Sequence, residues 1–521
     1  MLMVWFMTAW ATCMLAASRI KIPADALAGK SGLQLYFLLK GYHEEAAKQG
    51  ARLTYPKRLT LALDIPEGAT TLPLSEQTDF NGCRLVVLNT TVQDFFLFSL
   101  ANEKGTKPTK LSHNDVNAGY FGDVNGLREG LKLLVLKDQR VWTDIAPEEG
   151  GRHFYRQDVL LVKNGKALNT PILPYDNSTS EPQGQWYEIT ASKKTFKDLT
   201  FERSARSTCR TRLLQIKAQN NVCIQNVTVL TPFVAEDSEA PLYRTDRCIC
   251  VENSACTTFE NVTVRGTYST AKCWGYAINL ENVFDTCCKR LYAEGHWGIF
   301  GNNNVNRLTI NQSRINRVDL HCYGRDIICC GCIFSNTIDD QMTQQHYCAS
   351  RVLNTFASLV GSLTFDRCQF RQALPLYLRA NYRAYTGYDA TFRRCQIDLP
   401  AHTPYIVTAG LLNEPTNTRQ ELSQVCWPNI NVERCTIRLG RPSETLEVFH
   451  VLKNSTTPST IGHLSVLAFD RVNVVDGSGK LVRLKLSNVE VKTVLPLKVV
   501  VRRSNLHGEM RPSVCLQKIS R

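Results

Sequence analysis

The chain has 521 residues, is 43% hydrophobic and 21% charged, and carries 61 Lys+Arg against 47 Asp+Glu, a formal charge of +14. That composition excludes a disordered or collagen-like chain and leaves room for a large buried core. The basic excess favours a polyanionic partner, and the length invites a search for repeats before domains are counted.

Met1 to Ala17 is an uncharged run ending in small residues before Arg19. It reads as a signal peptide over 1–18, too short for a comfortable membrane span, which points to a secreted, periplasmic or cell-surface protein. An uncleaved anchor is the alternative, and Thr12 disfavours Cys13 as a lipidation site. Lys30 to Gly50 predicts an amphipathic helix stopped by Gly50. From 51 to about 190, short apolar runs such as RLTLALDIP, CRLVVLN, KLLVLK and DVLLVKNGK alternate with turn clusters. They predict irregular β-structure, so 19–198 is expected to form an N-terminal cap and the first irregular coils.

A repeat then runs from 199. Its unit is an apolar residue, two polar residues, a small or apolar residue, one polar residue and another apolar one. The copies are FERSA at Phe201, IQNVTV at Ile224, FENVTV at Phe259, CKRLYA at Cys288, INQSRI at Ile310 and CCGCIF at Cys329. Four more follow: FDRCQF at Phe365, FRRCQI at Phe392, VERCTI at Val432 and FDRVNV at Phe469. One short unit per coil, rich in β-branched and aromatic residues, predicts an all-β solenoid over 199–480, a right-handed parallel β-helix with the N-terminal helix as its cap. Residues 481–521 are expected to supply closing strands. The fourth slot should be an inward ladder: Ser204, Val227, Val262, Leu291, Ser313, Cys332, Cys368, Cys395, Cys435 and Val472. The cysteines in it read as small hydrophobes rather than metal ligands, though spacing alone leaves disulfides elsewhere open.

The chemistry concentrates in Asn316 to Cys332, NRVDLHCYGRDIICCGC. Alternation puts Asp319, His321, Tyr323 and Arg325 on one face of a strand. An acid, an imidazole, a phenol and a guanidinium in one row are the parts of a proton-transfer site with charge neutralisation. The same offsets place Asn302, Asn304 and Asn306 on the coil below. His296 and Trp297 stand at the turn before them. Tyr377 and Arg379 face outward one or two coils later, and Tyr382, Tyr385 and Tyr388 are further groove candidates.

With its helix, coil repeat and Cys/Val ladder, the chain resembles the right-handed parallel β-helix proteins of the pectate-lyase-like superfamily. Through WGIFGNNNVN, RINRVDLHCYGRDI and YRAYTGYDATFRRCQI it is similar to the polysaccharide-lyase type of gut bacteria. The resemblance implies a groove along one sheet and a carbohydrate substrate. The expected function is a secreted lyase that cleaves an acidic, uronate-containing polysaccharide of glycosaminoglycan type by β-elimination. His321, Tyr323 and Arg325 would be catalytic, and Asn302, Asn304, His296, Trp297, Asp319, Tyr377 and Arg379 substrate-binding. A glycoside hydrolase using Asp339 or Asp340, or a non-catalytic glycan-binding β-helix, is the alternative. No cofactor is expected, since no carboxylate cluster supports calcium. The partner is an acidic polysaccharide rather than nucleic acid, there is no membrane contact beyond an anchor, and the chain is expected to act as a monomer.

Overall fold

The computed structural model describes residues 18–90, 95–144, 153–175, 180–204, 211–230, 246–265, 275–293, 298–320, 323–335, 351–355, 359–379, 387–401, 405–410, 429–451, 460–461, 466–486, 492–493 and 498–507. Most strands join one 32-stranded sheet in which successive coils pair in parallel. The chain is an all-β parallel β-helix. Each mature coil contributes to three strand rows. Val318–Leu320, Arg351–Thr355 and Leu374–Arg379 lie in the first. Tyr323–Cys330, Leu359–Asp366 and Gly387–Arg393 lie in the second. The short strands Ile333–Ser335, Gln369–Arg371, Gln396–Asp398 and Thr436–Arg438 make the third.

The repeat is the frame of this stack. Its first slot pairs coil to coil through Phe259, Cys288, Ile310, Cys329, Phe365, Phe392, Val432 and Phe469. The fourth slot points inward, and Val227, Val262, Leu291, Cys332, Cys368, Cys395, Cys435 and Val472 are all buried in one continuous core. Burial pushes the Cys288 and Cys329 thiols well above the usual range, as expected of inert packing groups.

One copy is out of register in the sequence reading. Phe201 pairs with Val229, the sixth slot, while Phe196 pairs with Ile224, the first. The true copy is therefore FKDLTF, with Leu199 rather than Ser204 in the ladder. An earlier copy was missed, FNGCRL from Phe80, whose Cys83 pairs with Leu199. A later one, VRRSNL from Val501, pairs with Phe469.

The third slot makes the corner between the second and third rows, and it does so by adopting φ > 0 in copy after copy. Gly82, Asp198, Asn226, Asn261, Arg290, Gln312, Gly331, Arg367, Arg394, Arg434, Arg471 and Arg503 all have φ between 49° and 78°. The left-handed conformation costs a residue with a Cβ about 1–2 kcal/mol, least for Asn and Asp. The turn tolerates this because the third-slot N–H bonds the next coil, as from Arg394 to Glu433 O at 2.8 Å. In the early coils the side chains also stack, Asn261 donating to Asn226 at 2.9 Å and Asn226 to Asp198 at 2.8 Å.

The helix Gly32–Gln49 closes the N-terminal end, burying Leu35, Tyr36, Leu39, His43 and Ala46 and ending at Gly50 in the left-handed conformation. The strands Arg52–Thr54, Thr60–Ile65, Leu72–Pro73, Gln77–Thr90 and Phe95–Ala101 join the solenoid sheet, and the unexpected element lies between 105 and 188. There the chain leaves the solenoid to form a five-stranded antiparallel sheet. Its strands Leu131–Asp144 and His153–Lys163 are apolar on both faces because both are covered. Leu133, Val135, Val159 and Leu161 pack on Ala218, Ala255 and Phe284 of the solenoid, while Leu134, Leu136, Leu160 and Val162 pack on Val116, Phe121 and Trp186.

Candidate functional site

The described part of the alternating stretch lies in two strands, Val318–Leu320 in the first row and Tyr323–Cys330 in the second. The stacking offsets hold: Phe300 pairs with Asp319, Asn304 with Tyr323 and Asn306 with Arg325. Yet Asn304, Asn306 and Arg325 meet the inserted segment. Asn304 is 1% exposed and donates to Gln157 O at 3.0 Å and to Asn282 Oδ1 at 3.1 Å. Asn306 donates to Thr170 O at 3.3 Å. Arg325 donates to Pro171 O at 3.0 Å, with Thr170 Oγ1 and Ile172 O at 3.4 Å, and pairs with Asp326 at 3.4 Å. These groups clamp the insertion to the solenoid, so Asn304 and Arg325 do not face an open groove as the sequence suggested.

The loop they grip is itself held by a buried cluster. Arg156 pairs with Asp158 at 3.4 Å and lies over the Tyr175 ring at 3.5 Å, and the Tyr175 hydroxyl donates to Asp158 at 2.9 Å. Burial raises the Asp158 pKa, and the Arg156 charge and the Ile172 N–H only partly oppose it.

Asp319 is also internal. It is fully buried and takes the Tyr276 hydroxyl and the Arg317 guanidinium on its carboxylate. Burial first, then the Asp319 charge, holds the Tyr276 pKa well above normal. Asp319 is therefore part of a structural ion cluster and not a surface contact. Tyr377 sits in the same register column two coils on, through Asn354. Asn302 pairs with Glu281 and Arg379 with Gly410. Tyr388 is buried in the core. His296, Trp297, His321, Asp339, Asp340, Tyr382 and Tyr385 lie outside the described residues.

An open site lies on the third row instead. A groove of about 490 Å³ runs along the solenoid axis from the coil of Arg314 to that of Gly477. At about 4.8 Å per coil, its five steps span about 24 Å. Ser335, Arg371, Asp398 and Arg438 line it from the seventh slot, one per coil in direct register, and Arg314 reaches it from the fifth slot of the coil before. Asp398 is held 3.5 Å from Arg438 and accepts from Gln396 at 3.2 Å. Arg438 also reaches Gly477 O at 3.5 Å, and Arg371 donates to Gln369 Oε1 at 2.9 Å. Three guanidiniums against one carboxylate leave the lining positive, with donor forks suited to carboxylate or sulfate.

The polar floor beside the groove, Gln369, Gln396, Thr436 and Asn473 in the fifth slot, can bond hydroxyls. Sequence reasoning passed over these arginines because each stands alone in its copy. The signal was the seventh slot read down the repeat. Among the described residues, no group of three or more His, Cys, Asp or Glu is placed to hold a metal ion.

No protein-family model matches the sequence, and no curated protein matches it. Solved structures do align over most of its length. The tailspike gp49 of Pseudomonas phage LKA1 shares 12% identity, over 89% of this chain and 73% of its own, with a TM-score of 0.48. The tailspike gp61 of Pseudomonas phage phi297 shares 9%, over 89% and 73%, with a TM-score of 0.47. The gp54 tailspike of Acinetobacter baumannii bacteriophage AP22, in complex with capsular saccharide, shares 12%, over 89% and 79%, with a TM-score of 0.44. At these levels of likeness the functional reading has to come from the groove.

Proposed function

We propose that the chain binds an acidic polysaccharide lengthwise in the third-row groove. The observation that carries the binding is the spacing of charge. Arg314, Arg371 and Arg438 belong to coils two apart, with Ser335 and Asp398 on the coils between. A period of two coils is about 10 Å along the axis. That suits a polymer in which an acidic sugar alternates with a neutral or amino sugar, the glycosaminoglycan pattern. An acid on every sugar would bring one carboxylate against Asp398. Among the described residues the groove lining holds no His, Tyr or Lys, and Tyr323 stands at the far end of the eight-residue second-row strand, about 23 Å away along the chain. Proton transfer at a sugar bound here is therefore not assigned to His321 and Tyr323, and the groove is proposed as a binding site.

The test is incubation with an alternating uronate–hexosamine polymer, following both binding and ultraviolet absorbance of an unsaturated uronate. Binding that weakens steeply with salt is expected, because exposed attraction is screened over about 8 Å at physiological ionic strength. An unsaturated product would add a lyase site elsewhere on the chain, reducing ends without absorbance would add a hydrolase site, and binding without product leaves a glycan-binding module. Failure to bind any acidic polymer, or binding indifferent to salt, removes the groove reading.

A further inference from the structure

Parallel to the groove, at the other margin of the short strands, the third-slot corner changes character along the solenoid. The early coils fill it with Asp198, Asn226 and Asn261, side chains that accept φ > 0 at little cost. From Arg367 onward every copy uses arginine: Arg367, Arg394, Arg434, Arg471 and Arg503, with φ between 50° and 56°. The turn does not require it, since the bond that holds the corner comes from the backbone N–H. Arginine is a costlier choice than Asn or Gly in this conformation. Its recurrence at five successive corners points to the charge.

The second slots add Arg393 and Arg502, against Asp366, Glu433 and Asp470. Seven arginines against three acids leave this edge four charges positive. The acids pre-organise it. Asp366 accepts from Arg394 at 2.6 and 2.7 Å and from Arg393 at 3.1 Å, and Asp470 accepts from Arg503 at 2.8 Å. Burial pushes the Asp366 pKa up, but the bonds and charges of Arg394 and Arg393 outweigh it and hold it below the usual carboxylate range. Each guanidinium keeps further N–H donors for solvent or a ligand, and the Arg367 and Arg503 side chains are 61% and 59% exposed. Arg434, between the two clusters, has no ion-pair partner among the described residues and is exposed.

We propose that this ridge is a second anion-binding lane, separate from the groove, for a linear polysaccharide carrying an oxyanion on every sugar. One guanidinium recurs per coil, about every 4.8 Å, over about 19 Å. The four residue steps from the third slot to the seventh set the ridge about 13 Å from the groove, so one chain does not fill both. Slots two, three and five of these coils contain no aromatic residue on which bases could stack, which disfavours single-stranded nucleic acid. The charge period differs from that of the groove, and so does the expected ligand.

The test uses the full chain with a homopolyuronate, an alternating acidic polymer and a single-stranded oligonucleotide as probes. The variant Arg394→Asn/Arg434→Asn/Arg471→Asn keeps a residue that tolerates the corner. It should stay folded, at some cost for the Arg394 bonds to Asp366, and bind the homopolyuronate at least about tenfold more weakly at low salt, with the alternating polymer changed less than about threefold. Arg434→Asn alone, at a position with no ion pair to lose, should weaken homopolyuronate binding about threefold, so the proposal stays testable if the triple variant folds poorly. Unchanged homopolyuronate binding in both variants overturns it. So does an oligonucleotide bound as tightly as the polyuronate, or equal loss of both polysaccharides, which would merge ridge and groove into one site. Absence of alternating-polymer binding counts against the groove alone.

Discussion

Asn304 and Arg325, beneath the inserted sheet, and Arg371 and Arg438, on the short-strand row, are similar side chains in opposite surroundings. The first pair is spent on carbonyls of the Gln157 and Pro171–Ile172 segments and holds two parts of the fold together. Among the described residues, the second pair lines an open groove and meets one carboxylate and a few neutral acceptors. A polar residue on a solenoid face therefore says little until its partners are counted. Where donors hold two parts of the fold together, removing one costs stability, and where they are left over, removal costs binding.

The largest expected effect breaks both regions together. Cys395 is 3% exposed inside the coil, and a carboxylate there has no cation to meet. Cys395→Asp should abolish folding, because an unpaired buried charge costs several kcal/mol, whereas Cys395→Val should fold. Normal melting of the Asp variant would show that the inward register is wrong.

Next comes acid, which acts from the capped end and leaves both faces alone. His43 lies under the capping helix with Nε2 2.7 Å from the Tyr55 hydroxyl and Nδ1 3.1 Å from Pro73 O. Burial drives its pKa down to about 4, against a weaker opposing effect of the Pro73 carbonyl. The unfolded chain then binds the proton more readily. Stability is full above pH about 6.5 and falls as pH drops toward 4, by about 3 kcal/mol in all. Thermal melting against pH should show this slope, and His43→Gln should flatten it. An unchanged slope in that variant would assign the acid sensitivity elsewhere.

The solenoid was legible because its signal is repeated. Phe365, Phe392 and Val432 say the same thing about the core, and the ladder of Cys368, Cys395 and Cys435 follows from it. The slip at Phe201 shows the limit: FKDLTFERSA holds two overlapping apolar-polar patterns, and only pairing with Ile224 chooses Phe196. The inserted sheet was illegible for a different reason. KLLVLK and DVLLVK are apolar on both faces, which marks burial without saying against what. That missing partner is why Asn304 and Arg325 looked free. The groove residues were hidden the other way, one per coil and up to 40 residues apart, as from Asp398 to Arg438, and adjacent only once the coils stack.

A paired substitution sharpens the contrast. Asn304→Ala should cost about 1–3 kcal/mol, since it leaves Gln157 O and Asn282 without their donor, and should leave glycan affinity unchanged. Arg371→Ala should leave melting within about 0.5 kcal/mol and weaken alternating-polymer binding about tenfold. Reversed results, with Asn304 governing affinity and Arg371 governing stability, would return the site to the region of Asn304 and Arg325.

The smallest effect addresses why the groove would distinguish polymers at all. Asp398 stands on the coil between Arg371 and Arg438, so an anion on every sugar would place one beside it. Asp398→Asn removes that repulsion and keeps a hydroxyl-bonding group of nearly the same shape. It also releases Arg438 from its 3.5 Å partner, which raises attraction for any acidic polymer. The general gain should appear with both ligands. The relief of repulsion should appear only with the homopolyuronate, whose affinity should therefore rise about two- to fivefold more than that of the alternating polymer. Measuring the pair in the ridge-depleted background keeps the second lane from contributing. An equal rise for both would mean that Asp398 only tempers Arg438, and that the two-coil charge period does not select the ligand.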